Sequence, residues 1–160
     1  MHRRLYRLLL WVAVIGLMAL IFAFSAQEGP ESDGMTQAAV MPLAELLAEV
    51  SQGGTDAAEA IYVIIGTMVR KAAHVLEYGL LSLLVLLLLR AYGVRRRWLA
   101  IAIALAYAVS DELHQAFVPG RLGTPVDVII DAIGVIAGVF VPDIFKVWNM
   151  NRRKKHVHHS

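Results

Sequence analysis

The chain has 160 residues, 58% of them hydrophobic, and a formal net charge of +2. Its mean hydropathy of +0.61 is too high for an ordinary soluble domain and points to one integral membrane domain. Cysteine is absent, which excludes a disulfide framework and any thiolate metal site. The basic residues gather at helix ends, which argues against nucleic-acid binding and for membrane orientation.

Met1-His2-Arg3-Arg4 is a short basic head. Residues 5–24 are apolar apart from Tyr6 and Arg7 and are long enough for a first spanning helix. The rival reading is a cleaved signal peptide ending near Ala23-Phe24-Ser25, but the apolar stretch exceeds a usual signal core.

Residues 25–55 carry Glu28, Glu31, Asp33, Glu45 and Glu49 and no Lys or Arg. Within them, residues 42–50 predict a short surface helix with Pro42 in its first turn. Asp56-Ala57-Ala58-Glu59 resembles a capping box that starts a new helix. Residues 61–69 are apolar but too short to span alone; they lie at the outer interface or extend the next span outward.

A second span is expected over 72–92, with Arg90 and Arg95–97 at its far end, and a third over 98–117 after a turn at Gly93. The fourth covers 126–147, and 149–160 form a basic tail whose His156, His158 and His159 are read as solvated. Trp11, Trp98 and Trp148 suit an aromatic belt on one side. The fold class is therefore an all-α bundle of four transmembrane helices with a short extracytoplasmic helical loop segment, as one domain over 1–148. Four spans put the basic head, Arg95–97 and Arg152–Lys155 on one side, which the positive-inside rule makes cytoplasmic, with both termini.

Polar residues concentrate at the opposite ends of the spans. The first span ends in Ser25 and Gln27. At about 100° per residue, Arg70, Lys71, His74, Glu77, Tyr78 and Ser82 share one face of the second. Tyr107, Ser110, Asp111, His114 and Gln115 share a face of the third, with Glu112 at its edge. Asp127 and Asp131 share a face with Gly134 and Gly138, whose spacing lets another helix approach closely. Polar faces at one depth in a bilayer satisfy one another only by converging. The plain alternative is that Lys71–Glu77, His114–Asp111 and Arg121–Asp127 pair to hold the bundle together. For the set as a whole a functional site is the better reading, because intramembrane ionisable residues are costly.

These residues resemble a known pattern. Phe24-Ser25-Ala26-Gln27, Lys71-x-x-His74-x-x-x-Tyr78, and Ser110-Asp111-Glu112-x-His114-Gln115-x-Phe117-x-Pro119-Gly120-Arg121 followed by Asp127 and a glycine-bearing helix together resemble the VanZ-like family. The Ser-Asp-Glu-x-His-Gln block is its specific part. Where the family pattern favours Asn, this chain has Asp131. The resemblance implies a small bacterial cell-envelope protein of the cytoplasmic membrane; the name-giving member is linked to glycopeptide (teicoplanin) resistance.

Two functions suit the constellation. In the first, a cavity at the outer leaflet binds an anionic head group of a membrane lipid or lipid-linked cell-wall precursor. Arg70, Lys71 and Arg121 supply charge-assisted donors, and His74, Tyr78, Ser110, Glu112, His114 and Gln115 complete the ligand-binding set. In the second, a membrane enzyme acts on a lipid head group by metal-dependent or acid/base chemistry. Its catalytic candidates are His74, Glu77, Asp111, Glu112, His114 and Asp127, and a divalent metal ion would be held among Asp111, His114, Asp127 and Asp131. No His-Glu-x-x-His, Gly-x-Ser-x-Gly or P-loop motif supports the enzyme. A proton or ion pathway is disfavoured by the apolar cytoplasmic halves of the spans.

Overall fold

The computed structural model describes residues 1–27, 29–121 and 123–157, giving the backbone alone for residues 29–31, 147 and 149–157. The described residues form five helices and no strand: α1 (His2–Ser25), α2 (Gly29–Val50), α3 (Gly54–Ala91), α4 (Arg97–Gln115) and α5 (Pro125–Val157). The chain is all-α, as its composition predicts. Glu28, His158 and His159 lie outside the described residues.

Helix α3 is the axis of the molecule, because α1, α2, α4 and α5 all pack against it. Its leucine-rich half supplies Leu81, Val85, Leu86 and Leu88 to a core completed by Leu10, Val14 and Ile21 of α1 and Val135 and Val139 of α5. Helix α4 presents Ala100, Ala104 and Ala108, all fully buried. This stripe of small residues at four-residue spacing lets α4 lie close to its neighbours.

The closest approach is between α3 and α5. A Cβ placed on Gly134 would fall on the Val75 carbonyl, and one placed on Gly138 would fall on the Gly79 carbonyl. Only glycine permits this contact. The Ser82 hydroxyl fastens it by donating to the Val135 carbonyl at 2.9 Å.

The other end of the bundle is pinned by cations. Arg7 Nε donates to the Ala91 carbonyl at 3.0 Å, and its guanidinium lies 4.4 Å from the centre of the Tyr92 ring. The charge inside the first apolar stretch thus caps the C-terminal end of α3. Arg97 grips Asp143 with two hydrogen bonds of 2.6 and 2.8 Å. Gly93, with φ +85°, turns the chain between α3 and α4. There Val94 N–H bonds the Leu89 carbonyl and Gly93 N–H the Arg90 carbonyl, the Schellman pattern that ends a helix at a left-handed residue.

Two expectations are corrected. The segment before α3 is a 22-residue helix with Pro42 in its interior, not a short helix beginning there. Val40, Ala44 and Ala48 are buried along α2, which packs on α3, and this packing offsets the hydrogen bond that Pro42 removes. Asp56 does not begin a helix: α3 starts at Gly54 without a side-chain cap, and Asp56 sits in its first turn, where its charge suits the helix dipole. Residues 61–69 extend the second span outward, one of the two expectations for them, since α3 runs unbroken for 38 residues.

Three helices are long and apolar enough to cross a membrane, namely α1, α3 and the part of α5 over Pro125–Lys146. Helix α4 is not among them, because its last turns carry Asp111, Glu112, His114 and Gln115. Around the bundle Leu8, Val12, Ile15, Leu80, Ile129, Ile133, Ile136 and Phe140 point outward and are exposed. So continuous an apolar surface is stable in lipid and not in water. The chain is a membrane protein.

Gly134→Val is expected to lower stability in detergent by about 1–3 kcal/mol, the usual cost of overpacking. Gly16→Val is expected to change it little, since a Cβ there meets nothing within 4 Å. Thermal unfolding of the two purified variants checks this.

Candidate functional site

The ends of α1 and α4, the start of α5 and the middle of α3 meet at one end of the bundle, with α2 lying across them. They enclose an open cavity of about 570 Å³. Of the sequence-derived residues, Arg70, Lys71, His74, Glu77, Glu112, Gln115, Arg121 and Asp127 line it, with Ser25 and Gln27. Helical periodicity accounts for the α3 contribution: Arg70, Lys71, His74 and Glu77 recur every three or four residues on the face turned inward.

The three cations differ in environment. Arg70 pairs with Asp33 of α2. Lys71 Nζ donates to Asp127 Oδ1 at 2.7 Å, and the Thr124 hydroxyl donates to the other oxygen at 2.8 Å. Arg121 donates to the Ser32 hydroxyl at 2.8 Å and, among the described residues, has no carboxylate at ion-pair distance. Burial draws the Arg121 pKa down from the ordinary guanidinium value; the Asp111 charge opposes this and Arg70 adds to it. A guanidinium nonetheless stays charged at neutral pH.

Asp111 is nearly fully buried and organises the α1–α4 contact. Its Oδ2 accepts hydrogen bonds from the Ser25 hydroxyl at 2.7 Å and the Gln115 amide at 3.0 Å, and the same amide nitrogen lies 3.1 Å from the Ser25 oxygen. Asp111 is thus a structural anchor behind the cavity wall. Nearby, the Tyr107 hydroxyl donates to the Met18 carbonyl at 2.6 Å.

At the floor His74 of α3 and Glu112 of α4 line the cavity, and Asp131 of α5 lies fully buried outside that lining, beside His74. Glu112 Oε2 accepts the Thr124 backbone N–H at 3.1 Å, which leaves Oε1 buried without a partner. Asp131 is fully buried, and neither of its oxygens has a hydrogen-bond partner. His74 Nδ1 lies 3.3 Å from Asp131 Oδ1, but their orientation makes no hydrogen bond. An uncompensated buried carboxylate is costly by several kcal/mol, so the floor calls for a cation or a proton.

Other sequence-derived residues do not line the cavity. Ser110 is exposed and returns its hydroxyl to the Tyr107 carbonyl at 2.7 Å. Tyr78 is fully buried in the core. His114 stacks on Phe22 of α1 at 4.7 Å between ring centres. The anticipated pairs Lys71–Glu77, His114–Asp111 and Arg121–Asp127 are replaced by Lys71–Asp127, the Asp111 network and Arg121–Ser32. The observed partners of Lys71, Asp111 and Arg121 include residues of a neighbouring helix that packing brings within hydrogen-bond distance.

Ser32, Asp33 and Thr124 were missed in the sequence. The first two lay in a segment read as a loop, and the only signal for Thr124 was its place as an N-cap type residue before Pro125. A family model described as VanZ/LLP1 matches residues 10–146. No curated protein and no solved structure matches the chain.

Ser25→Ala removes one of the two donors to buried Asp111 and is expected to cost about 1–3 kcal/mol. Chemical denaturation of the purified variant in detergent measures the loss.

Proposed function

The chain belongs to the VanZ/LLP1 family, and from that premise we propose that its cavity binds an anionic head group at the outer face of the bacterial cytoplasmic membrane. The protein then crosses four times with both termini cytoplasmic, as one domain over 1–148. Helix α4 supplies the third crossing, beside those of α1, α3 and α5: its alanine stripe is buried in the same core as α3 and α5, and its polar end meets theirs at the cavity. The basic residues Arg3, Arg4 and Arg95–97 then face the cytoplasm, and the acidic α2 lies outside.

The single observation that carries the head-group reading is Arg121. It is a half-buried guanidinium at the cavity wall, and among the described residues its hydrogen bond goes to a neutral hydroxyl. A forked donor without a carboxylate partner suits a phosphate. Arg70 and Lys71 stand beside it with their charges already shared by Asp33 and Asp127. They contribute positive potential more than free donors. The ligand is the head group of a phospholipid or of a lipid-linked cell-wall precursor. Sequestering such a precursor is the route by which the protein would contribute to glycopeptide resistance.

Two outcomes are expected. Arg121→Ala should weaken binding of short-chain phosphatidylglycerol, or of a polyprenyl pyrophosphate, by about 10- to 100-fold, the worth of a charge-assisted hydrogen bond. Arg70→Ala and Lys71→Ala should weaken it less, and phosphatidylcholine should bind poorly throughout. Titration by native mass spectrometry reads each. Equal binding by wild type and Arg121→Ala would remove the basis for the proposal, and turnover of either lipid would favour the enzyme.

For topology, cysteine placed at Glu49 should react with an impermeant maleimide on intact cells, and cysteine at Arg96 only after lysis. Labelling of the Arg96 position from outside would overturn the four-span arrangement.

A further inference from the structure

We infer that His74, Glu112 and Asp131 form a binding site for one divalent cation of the Mn²⁺ or Zn²⁺ kind at the floor of the cavity. One ligand atom from each residue lies within 4.8 Å of the other two. Each comes from a different helix, so the three approach a common point from different directions. Donors about 2.1 Å from one ion sit up to about 4.2 Å apart, so a contraction of about an ångström closes the set.

The independent sign of a missing ligand is the state of the donor atoms. His74 Nδ1, Glu112 Oε1 and both oxygens of Asp131 are buried and without hydrogen-bond partners. Asp131 is wholly inaccessible and Glu112 nearly so. Buried polar atoms are almost always satisfied; of the eight unsatisfied ones among the described residues, four belong to these three residues, and one atom from each lies within reach of a common point, which describes a place prepared for a cation. Two carboxylates balance the charge of a divalent ion, and the imidazole favours a borderline metal over Mg²⁺ or Ca²⁺.

The supporting contacts suit the role. The Thr124 backbone N–H holds Glu112 Oε2 at 3.1 Å and leaves Oε1 for the ion, as an outer-shell partner does. The glycine contact between α3 and α5 sets His74 beside Asp131: Gly134, one turn beyond Asp131, packs on Val75, the residue after His74. His74 and Glu112 line the open cavity, so an ion has a path inward. Three protein ligands leave a coordination position facing the cavity. This inference stands apart from the head-group reading, because the ion can bind with the cavity empty.

The test uses the full chain with His156, His158 and His159 replaced by alanine, so that tail histidines take no metal. The purified protein is stripped with chelator and titrated with Mn²⁺ alone and with Zn²⁺ alone. Native mass spectrometry and elemental analysis read the stoichiometry. One ion per chain is expected, with affinity lowered at least tenfold in His74→Gln, Glu112→Gln and Asp131→Asn and little changed in Gly16→Val, where a Cβ meets nothing within 4 Å. Pulsed electron paramagnetic resonance of the Mn²⁺-loaded chain is expected to show one coordinated imidazole nitrogen, a readout that needs no variant to fold. The inference is overturned by the absence of stoichiometric metal, by undiminished binding in the folded variants, or by a Mn²⁺ signal without imidazole coupling.

Discussion

The close contact of α3 with α5 is the constraint from which the rest of the site follows. Without Cβ atoms at Gly134 and Gly138, the two backbones touch at Val75 and Gly79. That contact places the polar face of α3 directly against the start of α5. His74 then meets Asp131, and one turn earlier Lys71 meets Asp127. A larger residue at either glycine would separate the helices and part both pairs. The small residues are what permit ionisable groups at this depth, since each cation and carboxylate needs a partner on the neighbouring helix.

Charge is sorted by depth within the cavity. Arg70, Lys71 and Arg121 belong to its wall and rim, where α2 and the α4–α5 loop supply Asp33, Ser32 and Thr124. Asp131 and Glu112 are more deeply buried and, among the described residues, have no cationic partner other than His74. The rim therefore favours an anion and the floor a cation. The two proposals use these opposite preferences separately, and a phosphate-bearing head group above a divalent ion would satisfy both at once. Behind the wall, Asp111 is neutral ground for ligands: its hydrogen bonds to Ser25 and Gln115 tie α1 to α4.

Much of this was legible in the sequence because periodicity is a strong signal in apolar helices. The face shared by Arg70, Lys71, His74 and Glu77, the glycine spacing on α5 and the polar C-terminal end of α4 all project where three- and four-residue spacing puts them. The Ser-Asp-Glu-x-His-Gln block named the family. What was hidden involved partners across helices. Asp33 and Ser32 sit in the first half of α2, whose glycines read as loop before the short helix expected at Pro42, yet α2 is one helix that packs against α3. His114 shares a face with Asp111 by spacing, but a face is about a third of the circumference, and the ring falls on its α1 side against Phe22. Asp127 was drawn to Lys71 rather than Arg121 because the glycine contact brings α3, not the loop, against it.

The head-group proposal requires that the cavity at this polar end of the bundle open to the outer face of the membrane. The chain has no cysteine, so a single cysteine at Glu77, on the cavity wall, reports on it without background. On intact cells, a membrane-impermeant methanethiosulfonate is predicted to modify Glu77→Cys and to spare Leu87→Cys, in the apolar half of α3. Protection of the Glu77 position, or its modification only from the cytoplasmic side, would contradict the account.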